Sequence, residues 1–304
     1  MNSFSSRREF LKVAGQGALG AALVHSRGSA TSMLASESQQ AHPETAAGLP
    51  TLQLGDHRIS RLIVGGNPFS FIAHAEPLVY SSRLFKQYFT HQKVVEILSL
   101  CTRNGINTFL GRIDENVLGF LKLYEKTNGS RVPWIAQTSA KPQQGATKDD
   151  LERNIGVAAD NGAIGCYIQG QSADYFVTQG NLNELASHVA LIRRLGMLVG
   201  IGAHQNETIE QAEKTGLAPD FYMKTFNQLG YYATSPNRTA EIMARTKVPW
   251  IAFKILAAGR IEPEEGFRFA LQAGAHFLCV GMFDFQVEDN ARLARNLMSG
   301  LLPR

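Results

Sequence analysis

Long apolar runs, a cysteine framework and a strong charge of one sign are all missing from this 304-residue chain, and each absence removes a class of protein. The longest weakly apolar stretch, Val13 to Val24, is shorter than the roughly 20 residues that span a bilayer, so no stable membrane span is expected. The three cysteines, Cys101, Cys166 and Cys279, sit apart in apolar helix or strand patterns. That spacing suits buried thiols and not a disulfide scaffold. The formal charge of +4 is concentrated at the start, where Arg7, Arg8, Lys12 and Arg27 stand against Glu9. Only about +1 remains for the rest of the chain, too little for a nucleic-acid footprint. No strand-Gly-x-Gly-x-x-Gly-helix fingerprint occurs, which argues against an open dinucleotide-binding sheet. His204 and Glu207 alone do not make a metal motif, so no metal is expected.

What is present begins with Ser6-Arg7-Arg8-Glu9-Phe10-Leu11-Lys12. A glycine-interrupted apolar run follows, and Gly28-Ser29-Ala30 then offers small residues at −3 and −1. The order reads as a twin-arginine signal peptide over residues 1–30, cut after Ala30. It implies the Tat translocase as a transient partner and a periplasmic or otherwise exported destination. Residues 31–50, rich in Ser, Ala, Gln and Glu, read as a flexible linker. Residues 51–304 have the length of one barrel domain.

From Thr51 one theme recurs: an amphipathic helix, a glycine at its end, then a short apolar run whose last residues turn polar. Gly105, Gly162, Gly196, Gly216 and Gly274 are expected at C′ positions in the left-handed conformation. Thr147 with Asp150 and Asn181 with Glu184 read as capping boxes or close variants, and Ser235-Pro236 as a helix start. The expected strands are 62–65, 107–110, 134–138, 164–169, 198–203, 221–225, 250–255 and 277–282. Most are apolar on both faces, as in a parallel sheet covered by helices. Eight such units predict an α/β fold of the (β/α)8 TIM-barrel type. The pentapeptide Val132-Pro133-Trp134-Ile135-Ala136 returns at 248–252, so strands three and seven should enter the barrel alike.

Several segments in order resemble the aldo/keto reductase superfamily. Leu54-Gly55-Asp56-His57-Arg58-Ile59-Ser60-Arg61-Leu62 is similar to its N-terminal β-hairpin running into strand one. Gly105-Ile106-Asn107-Thr108-Phe109 resembles the approach to strand two, and Glu115-Asn116-Val117-Leu118-Gly119 the following helix. Lys254-Ile255-Leu256-Ala257-Ala258-Gly259-Arg260 resembles a cofactor loop, and Val280-Gly281-Met282 with Glu288-Asp289-Asn290 the adenosine end. The resemblance implies NADP as cofactor, with Gly259, Arg260, Gly281, Met282 and Asn290 as its contacts. The usual catalytic quartet is replaced. Leu110 stands at the aspartate, Gly111 or Arg112 at the tyrosine, Thr138 at the lysine and Gln169 at the histidine.

In such barrels chemistry sits where strands end. Lys254, Lys224 and His204 are therefore the expected catalytic groups, as proton-transfer, Schiff-base or orienting residues. For Lys254 a pairing with a carboxylate such as Asp284 is the structural alternative. Asn67, Arg112, Gln169 and Asn227 are the expected substrate contacts, with an Arg112–Asp114 ion pair as the alternative for Arg112. Amides and cations among Phe69, Phe226 and Phe283 suit a polyhydroxylated or acidic small molecule, with a sugar-like or hydroxy-carbonyl compound as the leading expectation. Three readings stay open: an NADP-linked oxidoreductase, a cofactor-independent isomerase, epimerase or lyase, and a non-catalytic sugar-binding barrel.

Overall fold

The computed structural model describes residues 48–74, 78–233 and 235–301; the leader and most of the linker assigned above lie outside them. Strands β1 (Thr51–Leu54) and β2 (His57–Ser60) form an antiparallel hairpin. Its turn needs Gly55, whose φ is +56° and whose missing Cβ would collide with Leu198. Eight parallel strands then close into a barrel in sequence order. They are β3 (Leu62–Gly65), β4 (Phe109–Arg112), β5 (Trp134–Gln137), β6 (Gly165–Ile168), β7 (Leu198–Ala203), β8 (Phe221–Thr225), β9 (Trp250–Phe253) and β10 (Phe277–Val280). This is a (β/α)8 barrel.

Alternation along the strands divides the core in two. Ile63, Leu110, Ile135, Tyr167, Phe221, Met223, Ile251 and Phe277 fill the barrel, and Leu54 and Ile59 of the hairpin close its floor. The opposite parity, including Leu62, Val64, Val199, Ile201 and Tyr222, packs outward under the helices. Both faces are thus buried, which is why the strands read as apolar runs. Trp134 and Trp250 begin the third and seventh barrel strands, and both are buried.

The outer layer comprises α1 (Ser81–Tyr88), α2 (His91–Arg103), α3 (Glu115–Asn128), α4 (Lys148–Asp160), α5 (Gly170–Thr178), α6 (Leu182–Arg194), α7 (Asn206–Thr215), α8 (Pro236–Met243), α9 (Pro263–Gln272) and α10 (Asp284–Leu301). The five expected C′ glycines all have positive φ, from +69° to +85°. Thr147 and Asp150 form a reciprocal capping box at α4, and Ser235 with Pro236 starts α8. Asn181 makes no capping bond, because its side-chain amide donates to Glu184 instead.

Strands two, three, four, seven and eight of the barrel differ from expectation by one or two residues at an end, and two of these differences have visible reasons. β4 starts at Phe109 and not at 107, because the Asn107 side chain ties the barrel to the hairpin: Oδ1 accepts from Ser60 N at 2.9 Å and Nδ2 donates to Arg58 O at 2.8 Å. β9 stops at Phe253 because Lys254 turns to a φ of +56°. All three cysteines are buried and unpaired. No helix among the described residues is long and apolar enough to cross a membrane.

Candidate active site

The loops that follow β3, β8 and β9 carry unusual backbone. Among the described residues seven non-glycines have positive φ, and six of them, Phe71, His74, Tyr232, Lys254, Ala257 and Ala258, belong to these three loops. Each such residue costs about 1–2 kcal/mol, and strain of this kind gathers at ligand sites. Between the loops, at the C-terminal end of the barrel, lies a cavity of about 300 Å³. That is the lower end of the range for small-molecule sites.

Its wall combines bare backbone at Gly65, Gly66 and Gly281 with apolar Leu110, Met223 and Phe253 and a few polar groups. Asn67 enters from the loop after β3. Tyr167, on β6, donates to Gln137 Oε1 at 2.8 Å, leaving the Gln137 amide nitrogen as a donor toward the cavity. Burial raises the Tyr167 phenol well above its usual range, so it serves as a neutral hydrogen-bonding group.

Among the described residues Lys254 is the one charged side chain in the wall. Its Nζ lies 3.1 Å from His74 Nε2 and 4.3 Å from the centroid of the Tyr232 ring. Among the described residues no carboxylate pairs with it. Asp284, the partner considered from sequence, instead accepts from Tyr88 at 2.5 Å and Lys93 at 3.3 Å. Burial lowers the Lys254 pKa to about 8. His74 falls to about 4, through burial first and then the charges of Lys254 and His204. His74 is therefore a neutral acceptor, and Lys254 can donate to it and still release a proton near neutrality.

His204 stands beside this pair. Its ring packs 6.1 Å from Tyr232 and 5.6 Å from Phe253. Nδ1 lies 3.2 Å from Asp174 Oδ2, which also accepts from the His204 backbone N–H at 3.0 Å. Asp174 Oδ1 takes Thr208 Oγ1 at 2.6 Å and the Gln205 N–H at 3.3 Å. Asp174 thus fixes both the imidazole and the start of α7, and it keeps Nδ1 protonated so that Nε2 is the basic nitrogen.

Other expected site residues serve the scaffold. Lys224 has outward parity, is fully buried, and donates to His204 O at 2.5 Å; burial lowers it to about 8 against the opposing pull of Asp174 and Glu207. It does not line the cavity, since its strand places Met223 there instead. Gln169 caps α5, accepting from Ser172 N at 3.1 Å. Asn227 is spent on backbone, donating to Tyr231 O and Lys254 O and accepting from Tyr231 N. Arg112 forms the ion pair with Asp114 at 3.5 Å. Asn227 still shapes the site indirectly, because it ties the loop after β8 to the carbonyl of Lys254.

Of the expected cofactor contacts, Gly259 and Gly281 are in the cavity wall. Arg260 lies at the rim, its guanidinium 4.4 Å from the Tyr231 ring centroid. Met282 is fully buried and Asn290 is 4% exposed on α10, its amide making no hydrogen bond to the described residues. His74, Asp174, Tyr231 and Tyr232 had not been singled out from sequence. The Lys254–His74 contact joins residues 180 positions apart, which no local spacing reveals.

A barrel with a polar cavity at its strand ends is the common plan of many enzymes. No protein-family model matches the chain, and no curated protein matches it in sequence. Solved structures do match in fold. One, described as an aldo-keto reductase of Pseudomonas aeruginosa, has a TM-score of 0.61 at 16% identity, covering 84% of this chain and 100% of that one. Gox0644 without ligand has a TM-score of 0.58 at 10% identity, over 85% of this chain and 95% of its own. A point mutant of Gox0644 in complex with NADPH has 0.55 at 12%, over 85% and 90%. At such identities the likeness shows the barrel fold.

Proposed function

We propose that the chain is an exported barrel enzyme acting on a small hydroxy-carbonyl compound, by proton transfer centred on Lys254. The carrying observation is Lys254 itself: a lysine in the wall of a closed-bottomed cavity, hydrogen-bonded to a neutral imidazole, with no carboxylate partner among the described residues. Such an amine is shared between charged and free forms near neutral pH, as a proton-transfer group must be. His204, held by Asp174, supplies a second basic nitrogen nearby. Asn67, Gln137 and Tyr167 offer hydroxyl-matching donors and acceptors without any acidic group. Export through the twin-arginine route follows from the leader and belongs to the same proposal.

The second reading is an NADP-linked oxidoreductase, favoured by the NADPH complex among the structural neighbours. The residues here fit the outer part of such a cofactor. Gly259 and Gly281 leave backbone bare, Arg260 offers a cation at the rim, and the nearly buried Asn290 amide makes no side-chain hydrogen bond to the described residues. Bound there, the cofactor would supply a hydride, and this chain's part would be to hold and orient it. Against ordinary carbonyl reduction, Leu110 lines the cavity where that family places an aspartate. Native mass spectrometry of the purified chain with NADPH and with glycolaldehyde, dihydroxyacetone and glyceraldehyde separates the readings. Solvent-deuterium exchange into a hydroxy-carbonyl without added nucleotide supports the first. Tight NADPH binding with protein-dependent NADPH oxidation, and no exchange, overturns it.

A further inference from the structure

We infer that Lys254 forms a covalent Schiff base with the carbonyl carbon of its substrate, so that the chain is an imine-forming enzyme for small aldehydes or ketones. This deepens the proposed reading of the same cavity and rests on it. Three features of the geometry carry the inference. The Nζ atom reaches a cavity of a size for a small molecule, and it arrives from a residue held at a φ of +56° beyond the end of β9. His74 Nε2, 3.1 Å away, is an acceptor placed on the nitrogen that must lose its proton. The Tyr232 ring, 4.3 Å from Nζ, presents a π-face to the same nitrogen. A fixed carboxylate would hold the amine as an ammonium, whereas a π-face and a neutral imidazole favour a cation without trapping the proton.

The chemistry balances without any outside oxidant or reductant. The fraction of Lys254 that has released its proton to solvent, with a hydrogen bond to His74 Nε2 orienting its nitrogen, attacks the carbonyl carbon, and a proton passes from nitrogen to oxygen to give a carbinolamine. The hydroxyl leaves as water with a proton taken from solvent, and the positive charge remains on the iminium nitrogen. That charge withdraws electrons from the adjacent carbon, whose proton can then be removed by a base such as His204 Nε2. Hydrolysis reverses the first steps and restores the lysine. Burial also favours this lysine over exposed ones, since its pKa near 8 leaves about a tenth of it as free amine at pH 7. Lys224 is similarly shifted, but it is sealed behind β8 with Nζ on the His204 carbonyl.

The test is reductive trapping. The purified chain is incubated at pH 7 with glycolaldehyde or dihydroxyacetone and sodium cyanoborohydride, and adducts are located by peptide mass spectrometry. The expected result is early modification of Lys254, at least tenfold faster than of any other lysine. Lys254→Met should abolish that adduct while retaining the fold by circular dichroism. His74→Gln should keep the adduct but slow its formation by about tenfold or more, which a purely structural histidine would not do. Modification spread evenly over surface lysines, or absence of the Lys254 adduct, overturns the inference. If native mass spectrometry then shows the carbonyl compound bound without covalent trapping, only the Schiff base falls. If nothing binds, the proposed function falls with it.

Discussion

Replacing Lys254 with methionine keeps a long, flexible side chain and removes the ammonium. The stability of the variant then measures what burying that charge costs. A lysine held at about 8 in the folded chain against 10.5 when free carries a penalty of about 3.4 kcal/mol while charged, at about 1.36 kcal/mol per pH unit. Methionine escapes it but forfeits the contact with the Tyr232 ring, worth about 1 kcal/mol. The variant should therefore be about 2 kcal/mol more stable than the parent at pH 7, raising Tm by roughly 4–8 °C for a domain of this size. The pH dependence fixes the origin. Between about 8 and 10.5 the unfolded chain binds the Lys254 proton and the folded chain does not, so the parent gains stability as pH rises through that window. The gap between parent and variant should close over that interval, and above it the parent, having regained about 3.4 kcal/mol, should be about 1 kcal/mol the more stable. Lys224 titrates in the same range but is present in both proteins and cancels. Paired urea unfolding curves from pH 7 to 10.5 provide the measurement. A variant several kcal/mol less stable than the parent at pH 7 would mean that a buried ion pair had been broken, and the account of an unpaired lysine would be refuted. A gap independent of pH would refute it equally.

Ala258→Gly should stabilise the chain by about 1 kcal/mol, because relief of the left-handed alanine at φ +59° outweighs the extra freedom of glycine in the unfolded state; thermal melting checks it, and a destabilised variant would show that the methyl packs usefully. Asp174→Ala should cost about 3 kcal/mol in urea unfolding, since four donors, the backbone N–H groups of His204 and Gln205, Thr208 Oγ1 and the His204 ring, lose their acceptor together. Arg7→Lys combined with Arg8→Lys should leave the chain folded but retained in the cytoplasm, as cell fractionation would show; normal export of that double variant would remove the twin-arginine proposal.

The barrel was readable from sequence because its signals are local and repeated. Glycine must end helices where φ turns positive, and strands buried on both faces must be apolar. Five C′ glycines and eight apolar runs therefore located the elements to within about two residues. The errors fell where a side chain took a partner other than the expected one, as Asn107 does across the chain to the hairpin and Asn181 does in the side chain of Glu184, three residues on, in place of its own helix start. The site was only partly legible. Lys254 and Asn67 in the cavity wall, and His204 beside it, could be proposed because they follow strands, but strand ends also supply caps and braces, and nothing in the residue type separates Gln169 or Asn227 in those roles from a ligand contact. Lys224 and Met223 show how one step in register decides between the cavity and the helix layer. His74 and Tyr232 lie in aperiodic loops, and their relation to Lys254 exists only once the barrel has closed.

The floor made by Leu54 and Ile59 closes the barrel at its N-terminal end, and among the described residues the cavity lies at the other. Whatever occupies the cavity, solvent included, enters and leaves past the same rim, where Tyr231 donates to the carbonyl of His74 at 3.3 Å and stacks under Arg260. Water expelled by an arriving molecule must travel against it through that gap. On the proposed function, a molecule bound for Lys254, Asn67 and Gln137 in the wall passes the Tyr231 contact first. Loosening the rim, as with Tyr231→Phe, changes arrival and departure together and leaves their ratio nearly untouched.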